Sequence, residues 1–396
     1  MMPPLAMTAL ATANPLGLGL QATWNALSES RHGLRPNDFL DVTVKTWIGR
    51  IAGIEEEPIT GSFGAWDCRN NRLALLGMQQ DGFERAVNAA RQRYGSARVG
   101  VVLGTTTSGI LETELAYRRR TADGKLPDVI RYRYQQNLFS VTEFVQRYLG
   151  LTGPAVSVST ACASSARVFA SAARWIHAGL CDAVVVGGVD SLCLMTLYGF
   201  ASLGLLSDEP CRPCDVARNG LSIGEAAGFA LLERPGPAAA DVVLLGYGES
   251  SDAYHMSTPQ PEGQGAALAM EQALSRAGLQ PSDIDYVNLH GTGTQANDRA
   301  EDEAVSRVFG RQTSCSSTKG ATGHTLGAAG ITEAIIVALA LRHDRIPGTV
   351  NTEVLDPRLR ARIELIGMRR SLRQAVSNSF GFGGCNCSLV FGKASS

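Results

Sequence analysis

Apolar residues cluster in short runs along this chain, with glycine at their ends. ARVGVVLGT (97–105), PAVSVST (154–160) and CDAVVVGGVD (181–190) are rich in valine and bounded by Gly or Pro. Such near-continuous runs predict strands buried on both faces, as in layered α/β folds. Between the last two runs lies a stretch of small residues from about Cys162 to Ala178, closed by Gly179, which predicts a crossover helix. ERPGPAAAD (233–241) has no periodicity and predicts a boundary. Beyond it the pattern restarts. DVVLLGYGESSD reads as a strand, GAALAMEQALSRAG as a helix and IDYVNLHGTGT as a strand entering a glycine turn. A loop and a long apolar helix follow in CSSTKGATGHTLGAAGITEAIIVALALRH, before the terminal SNSFGFGGCNCSLVFG. Two stretches with the same βαβ grammar predict a duplicated α/β architecture divided at 238/239, residues 1–238 and 239–396.

Composition narrows the function classes. A formal net charge of −1 leaves no global basic footprint for nucleic acid. The apolar stretch from Ala183 to Leu206 contains Asp190, Ser191 and four glycines, so no membrane span is expected there. The N-terminus has no Lys or Arg before Arg31, which is a poor secretory signal. Nine cysteines without even, regular spacing fit a reducing cytoplasm better than a disulfide framework. Cys211 and Cys214 form one C-x-x-C with no matching pair, and Cys385 and Cys387 a C-x-C, so no structural zinc is expected.

Cys162 stands at the seam between an extended run and a helix in VSVSTACASS. A helix N-terminus stabilises a thiolate, the attacking form of cysteine. Taken alone, the residue is equally a nucleophile or a buried core thiol. Two of the six histidines, His290 in NLHGTGT and His324 in KGATGHTLGAAG, lie in Gly- and Thr-rich loops, where ligands approach closely. These glycine runs lack the pattern of a phosphate loop; GHTLGAAG reads as close backbone packing ahead of a helix.

VSTACASS, NLHGTGTQAND, SSTKGATGHTLGAAG and SNSFGFGGCN, in this order, resemble the motifs of the β-ketoacyl-acyl carrier protein synthases, the elongating condensing enzymes. GLSIGEAAGFALLE and SSDAYHMSTP extend the resemblance, which runs from about Thr8 to Phe391. It implies a thiolase-like five-layered α-β-α-β-α sandwich of two duplicated halves, the first carrying Cys162 and the second the two histidines and Lys319. It further implies Cys162 as the acyl-accepting nucleophile, with His290 and His324 donating hydrogen bonds to a thioester oxygen as charge develops. Lys319 and Glu333 match positions that organise the site electrostatically. Thr292 and Thr294 match residues that bind a phosphopantetheine arm, and Phe380 and Phe382 belong to a substrate-binding phrase in which Phe382 is a gate. Backbone N–H groups of Cys162 and Phe382 match an oxyanion hole.

The same resemblance implies a reaction needing no metal or organic cofactor, acyl- and malonyl-loaded carrier protein as partners, and a homodimer or a heterodimer with a related synthase subunit. Carrier docking is expected from Arg69 and Arg72 together with Lys125 and Arg131. The latter two lie in YRRRTADGKLPDVIRYRY, where six basic residues face two acidic ones. Some positions depart from the family pattern: alanines replace glycines in TALATANPLG, Cys385 follows GFGG, and Cys214 stands where Phe or Trp is usual. Three other readings stay open: a non-catalytic chain-length-factor-type partner, a thiolase and a cysteine hydrolase. The intact Cys162 opposes the first, and the paired HGTGT and TGH motifs oppose the second.

Overall fold

The computed structural model describes residues 1–127, 130–236 and 240–394; the expected boundary at 238/239 lies outside them. Among the described residues most strands form one twelve-stranded sheet whose two parts, called the first and second sheets, meet at one corner; a two-stranded and a three-stranded sheet lie apart from it. In the first, Ala155–Val158, Val99–Gly104 and Ala183–Asp190 run parallel, followed by antiparallel Ala226–Glu233 and Leu5–Asn14. In the second, Arg362–Ile363, Ser314–Ser316, Tyr286–Asn288 and Gln374–Gly381 run parallel, followed by antiparallel Cys385–Lys393 and Val242–Ser251. The sheets join only where Leu5 and Ala6 pair with Leu244 and Val243. The repeated βαβ grammar is therefore a repeated sheet order, parallel and then antiparallel.

Each strand divides its side chains between two apolar layers. Val102, Val184, Val186, Ala230 and Leu232 face a central core, while Val99, Val101, Leu103, Val185 and Leu231 face an outer one. The second sheet does the same, with Tyr286, Ala375 and Leu389 inward and Val287, Val376 and Val390 outward. This period-2 alternation of apolar residues on both faces explains why the strands read as continuous valine runs. Helices Ser164–His177 and Ala329–His343 fill the central layer. Arg69–Met78, Phe83–Tyr94 and Ser140–Tyr148 cover one outside face, and Gln264–Ala277 and Gln295–Phe309 the other. The result is the five-layered thiolase-like sandwich that the resemblance implied.

Glycine sets the distance between the central helices. A Cβ on Gly330 would lie 2.3 Å from the backbone nitrogen of Ala166, so GHTLGAAG is indeed a close-packing phrase. The segment Leu326–His343 is long and apolar enough to cross a membrane, but 89% of it is buried between the two sheets. It is a core helix.

Candidate active site

The nucleophile turn comes first. Strand Ala155–Val158 ends, Ala161 adopts φ 50°, and helix Ser164–His177 starts two residues after Cys162. A non-glycine residue in the left-handed region is costly and persists where its surroundings force it. Here the Ser164 hydroxyl accepts from Thr160 N–H and donates to the Ala161 carbonyl, closing the turn. Gly381 packs on it from the other half, its missing Cβ leaving room 2.9 Å from Thr160 O and 3.1 Å from Cys162 N.

His324 Nε2 lies 3.0 Å from Cys162 Sγ, and the His290 ring stands nearly perpendicular to the His324 ring at 5.2 Å. Lys319 and Glu333 form a buried ion pair, and Lys319 Nζ lies 3.3 Å from His290 Nδ1. Phe380 packs 6.0 Å from the His290 ring. Phe382 stacks on Phe200 at 5.5 Å, followed by Gly383 and Gly384 at φ 78° and 72°. The Thr292 and Thr294 hydroxyls are 2.9 Å apart. All these residues except Lys319 and Glu333 line one cleft, joined by His255, Thr258 and Asn297. The fold thus brings together nine of the residues singled out in the sequence.

The hydrogen bonds fix the tautomers. An ammonium can only donate, so Lys319 leaves His290 Nδ1 as an acceptor and puts the ring proton on Nε2. Leu326 N–H donates to His324 Nδ1 at 3.2 Å, with the same result. Burial, reinforced by Lys319, holds both histidines well below their usual range, so both are neutral at pH 7. Two neutral Nε2–H groups therefore face the cleft as donors.

This arrangement disfavours a metal. The donor atoms of Cys162, His290 and His324 all lie within 4.8 Å of one another, close enough to share an ion. A ligating histidine, however, normally donates its second ring N–H to an acceptor. Both second nitrogens here face donors instead, so the Nε2 lone pairs are occupied by protons.

The helix start does not by itself leave the thiol ionised. Burial pushes Cys162 up to about 11, opposed by Lys319 and by the Phe382 N–H. A thiolate is stabilised here by these donors and by the His324 N–H, and forms in the step that uses it. Burial also raises Glu333 to about 7 against the pull of Lys319.

Glu301 escaped the sequence reading. Its carboxylate accepts from the backbone N–H groups of His290, at 2.8 Å, and Gly291, at 2.7 Å, and so holds the HGTGT turn. A signal was present: Asp298, Glu301 and Asp302 follow the motif at helical spacing, and all three are buried. The C-x-x-C cysteines serve packing, since the Cys211 thiol donates to the Lys319 carbonyl and Cys214 is buried. No cysteine forms a disulfide among the described residues.

One expectation fails outright. Arg69 is 4% exposed, paired with Glu225 at 2.6 Å and with Glu55, and cannot serve as a docking residue on the surface. Glu225 also accepts from Ile51 and Leu192 N–H, so this pair ties three segments together. Removing one partner of a buried pair strands the other charge and typically costs about 3–5 kcal/mol. Arg69→Ala is expected to lose stability of that order in denaturant unfolding; an unchanged midpoint would return Arg69 to the surface. Arg72 is held by Asp67 and the carbonyls of Ile54 and Glu55, with a fifth of its side chain exposed. Lys125 and Arg131 are exposed, as expected, although residues 128 and 129 of their segment lie outside the described residues.

A donor-lined cysteine at a helix start, at the seam of two related halves, defines a condensing enzyme of the thiolase-like class. Family models agree: residues 71–238 match the β-ketoacyl synthase N-terminal domain and residues 242–353 its C-terminal domain. The chain is 34% identical to 3-oxoacyl-[acyl-carrier-protein] synthase 2 of Vibrio harveyi over 98% of each protein. It is 33% identical to the mitochondrial 3-oxoacyl-[acyl-carrier-protein] synthase of Arabidopsis thaliana, covering 97% of this chain and 92% of that one. Among solved structures, it superposes with a TM-score of 0.90 on a structure of the Xenorhabdus doucetiae ketosynthase ApeO in complex with its chain length factor ApeC. That match is at 37% identity and covers 99% and 98% of the two chains. A β-ketoacyl synthase from Burkholderia phymatum aligns over the full length of both chains at 26% identity, with a TM-score of 0.88. The chain belongs to the β-ketoacyl synthase family.

Proposed function

We propose that this enzyme condenses an acyl group held on Cys162 with malonyl-acyl carrier protein, elongating a fatty-acid or specialised polyketide chain. The acyl group first passes from a carrier thioester to Cys162 Sγ, and the carrier thiol leaves. Malonyl thioester then loses CO₂, and the carbanion attacks the acyl carbonyl carbon. A C–C bond forms, the Cys162 thiolate departs, and β-ketoacyl-carrier protein is the product. The observation that carries this reading is the pair of neutral Nε2–H donors, one of them 3.0 Å from the thiol. Both can stabilise the enolate oxygen of the decarboxylating thioester. The N–H groups of Cys162 and Phe382 serve the acyl oxyanion, Lys319, paired with Glu333, holds the histidines neutral and orients His290, and Thr292 and Thr294 bind the pantetheine arm. Electron flow is complete without an organic cofactor. The proposal takes residues 1–238 and 239–396 as the two halves.

Mass spectrometry after incubation with acyl- and malonyl-carrier protein tests the reading. An acyl adduct on Cys162 and a malonyl-dependent β-keto product are expected; adduct without product would leave an acyltransferase, and neither would leave a chain-length-factor-type subunit.

A second synthase-type subunit, identical or related, is the expected neighbour. Strand Ala155–Val158 ends its sheet, and Val156, Leu138 and Phe139 expose apolar side chains around it. The Ser157 hydroxyl donates to the Leu138 carbonyl, which ties the two segments together. The free cysteines suit a cytoplasmic setting.

Carrier docking at Lys125 and Arg131 remains part of the proposal. Rim charges tune encounter and salt dependence. Reversing both to Glu is expected to raise the KM for acyl-carrier substrate several-fold, more at low salt, with little effect on a short acyl-pantetheine substrate. Equal loss on both substrates would assign these residues to the fold instead.

A further inference from the structure

We infer that Asp190 is a positioning residue which, through the turn Leu326–Ala328, holds His324 against the nucleophile; this rests on the condensing reading above. Asp190 ends strand Ala183–Asp190, is fully buried, and has no salt bridge among the described residues. Its Oδ1 accepts from Thr105 Oγ1 at 2.8 Å, Thr106 N at 2.7 Å, and Thr107 N and Oγ1 at 3.0 Å. Its Oδ2 accepts from the Thr106 hydroxyl and, at 2.6 Å, from Gly327 N. Backbone N–H groups can only donate, so both oxygens must be acceptors, which a carboxylate supplies and an amide does not.

The Gly327 bond reaches the reacting atoms in two steps. Leu326, one residue earlier at φ 53°, donates its N–H to His324 Nδ1 and so keeps the ring proton on Nε2. That Nε2 faces Cys162 Sγ. The glycine is required, because a Cβ at 327 would stand 2.8 Å from Asp190 Oδ2. Through its three threonine partners the same carboxylate locks the end of strand Val99–Gly104, so one side chain joins two strand ends of the first half to the histidine turn of the second. The charge of Asp190 works against a thiolate on Cys162, as does any buried anion nearby. Its benefit therefore lies in position.

Asp190→Asn keeps the size and turns one acceptor into a donor facing donors. Displacing a catalytic group by about 1 Å can cost about 10²-fold. We expect kcat for condensation to fall by that order, with the KM for carrier substrate within about twofold of wild type. In protein labelled with ¹⁵N-histidine, NMR should show His324 losing its single Nε2–H form while the His290 signals stay in place. Gly327→Ala, which pushes the N–H off Oδ2, should do the same and serves if Asp190→Asn fails to fold. Wild-type-like turnover, or unchanged His324 signals, would overturn the inference. So would His290 and His324 changing together, which marks general loosening. The NMR arm reads the link without any activity, so a wild-type enzyme that forms no product would sink the condensing reading and leave this link still measured.

Discussion

Cys162→Ala is expected to abolish acyl transfer and condensation and to leave the fold intact. A methyl cannot attack a thioester, so the covalent route closes whatever the histidines do. The fold should survive because the thiol makes one side-chain contact of note, with His324, and alanine fits a turn closed by Ser164 and Gly381. Cys162→Gln should also stop condensation yet retain decarboxylation of malonyl-carrier protein, since its amide occupies the place of an acylated sulfur. Intact-mass measurement and CO₂ release separate the two variants. Condensation by purified Cys162→Ala protein would sink the assignment of the nucleophile.

The histidines should show the second largest effect. His290→Ala and His324→Ala are each expected to accept an acyl group on Cys162 but to form product about 10²–10³-fold more slowly, the usual cost of one electrostatic donor. Their depressed proton affinity sets the direction with pH. Both rings are neutral at pH 7 because burial and Lys319 disfavour the imidazolium, so activity should be lost only as pH falls well below the ordinary histidine range. Lys319→Ala removes the donor to His290 Nδ1 and the partner of Glu333 together. It should move that acidic limb to higher pH and lower the rate. A histidine variant condensing within a few-fold of wild type would make that residue structural.

Much of this site was legible in the sequence because its residues act from short glycine-rich turns at strand ends, where each side chain is announced by its neighbours. NLHGTGT and STKGATGH each carry polar side chains of the site, SNSFGFGG carries Phe380 and Phe382, and all three carry glycines that let backbone approach closely. The layered α/β architecture was legible for a related reason. Strands sandwiched between two apolar layers must be apolar on both faces, and valine runs between glycines record that directly.

Tertiary structure alone decided the electrostatics. Charge is visible in a sequence, but burial is not: Arg69 looked like a surface docking residue and is an interior ion pair with Glu225. Asp190 was silent because it acts on the backbone N–H of a distant turn, a contact that leaves no pattern of its own, and the helical spacing of Glu301 does not say which N–H groups its carboxylate meets. The histidine tautomers depend on which donor reaches each Nδ1, an ammonium for His290 and the Leu326 N–H for His324. Likewise, the proton affinity of the thiol at a helix start depends on its burial, which raises it, and on Lys319 and the Phe382 N–H, which oppose that rise. The residues that react were set by local sequence; their protonation was set by what the fold packed around them.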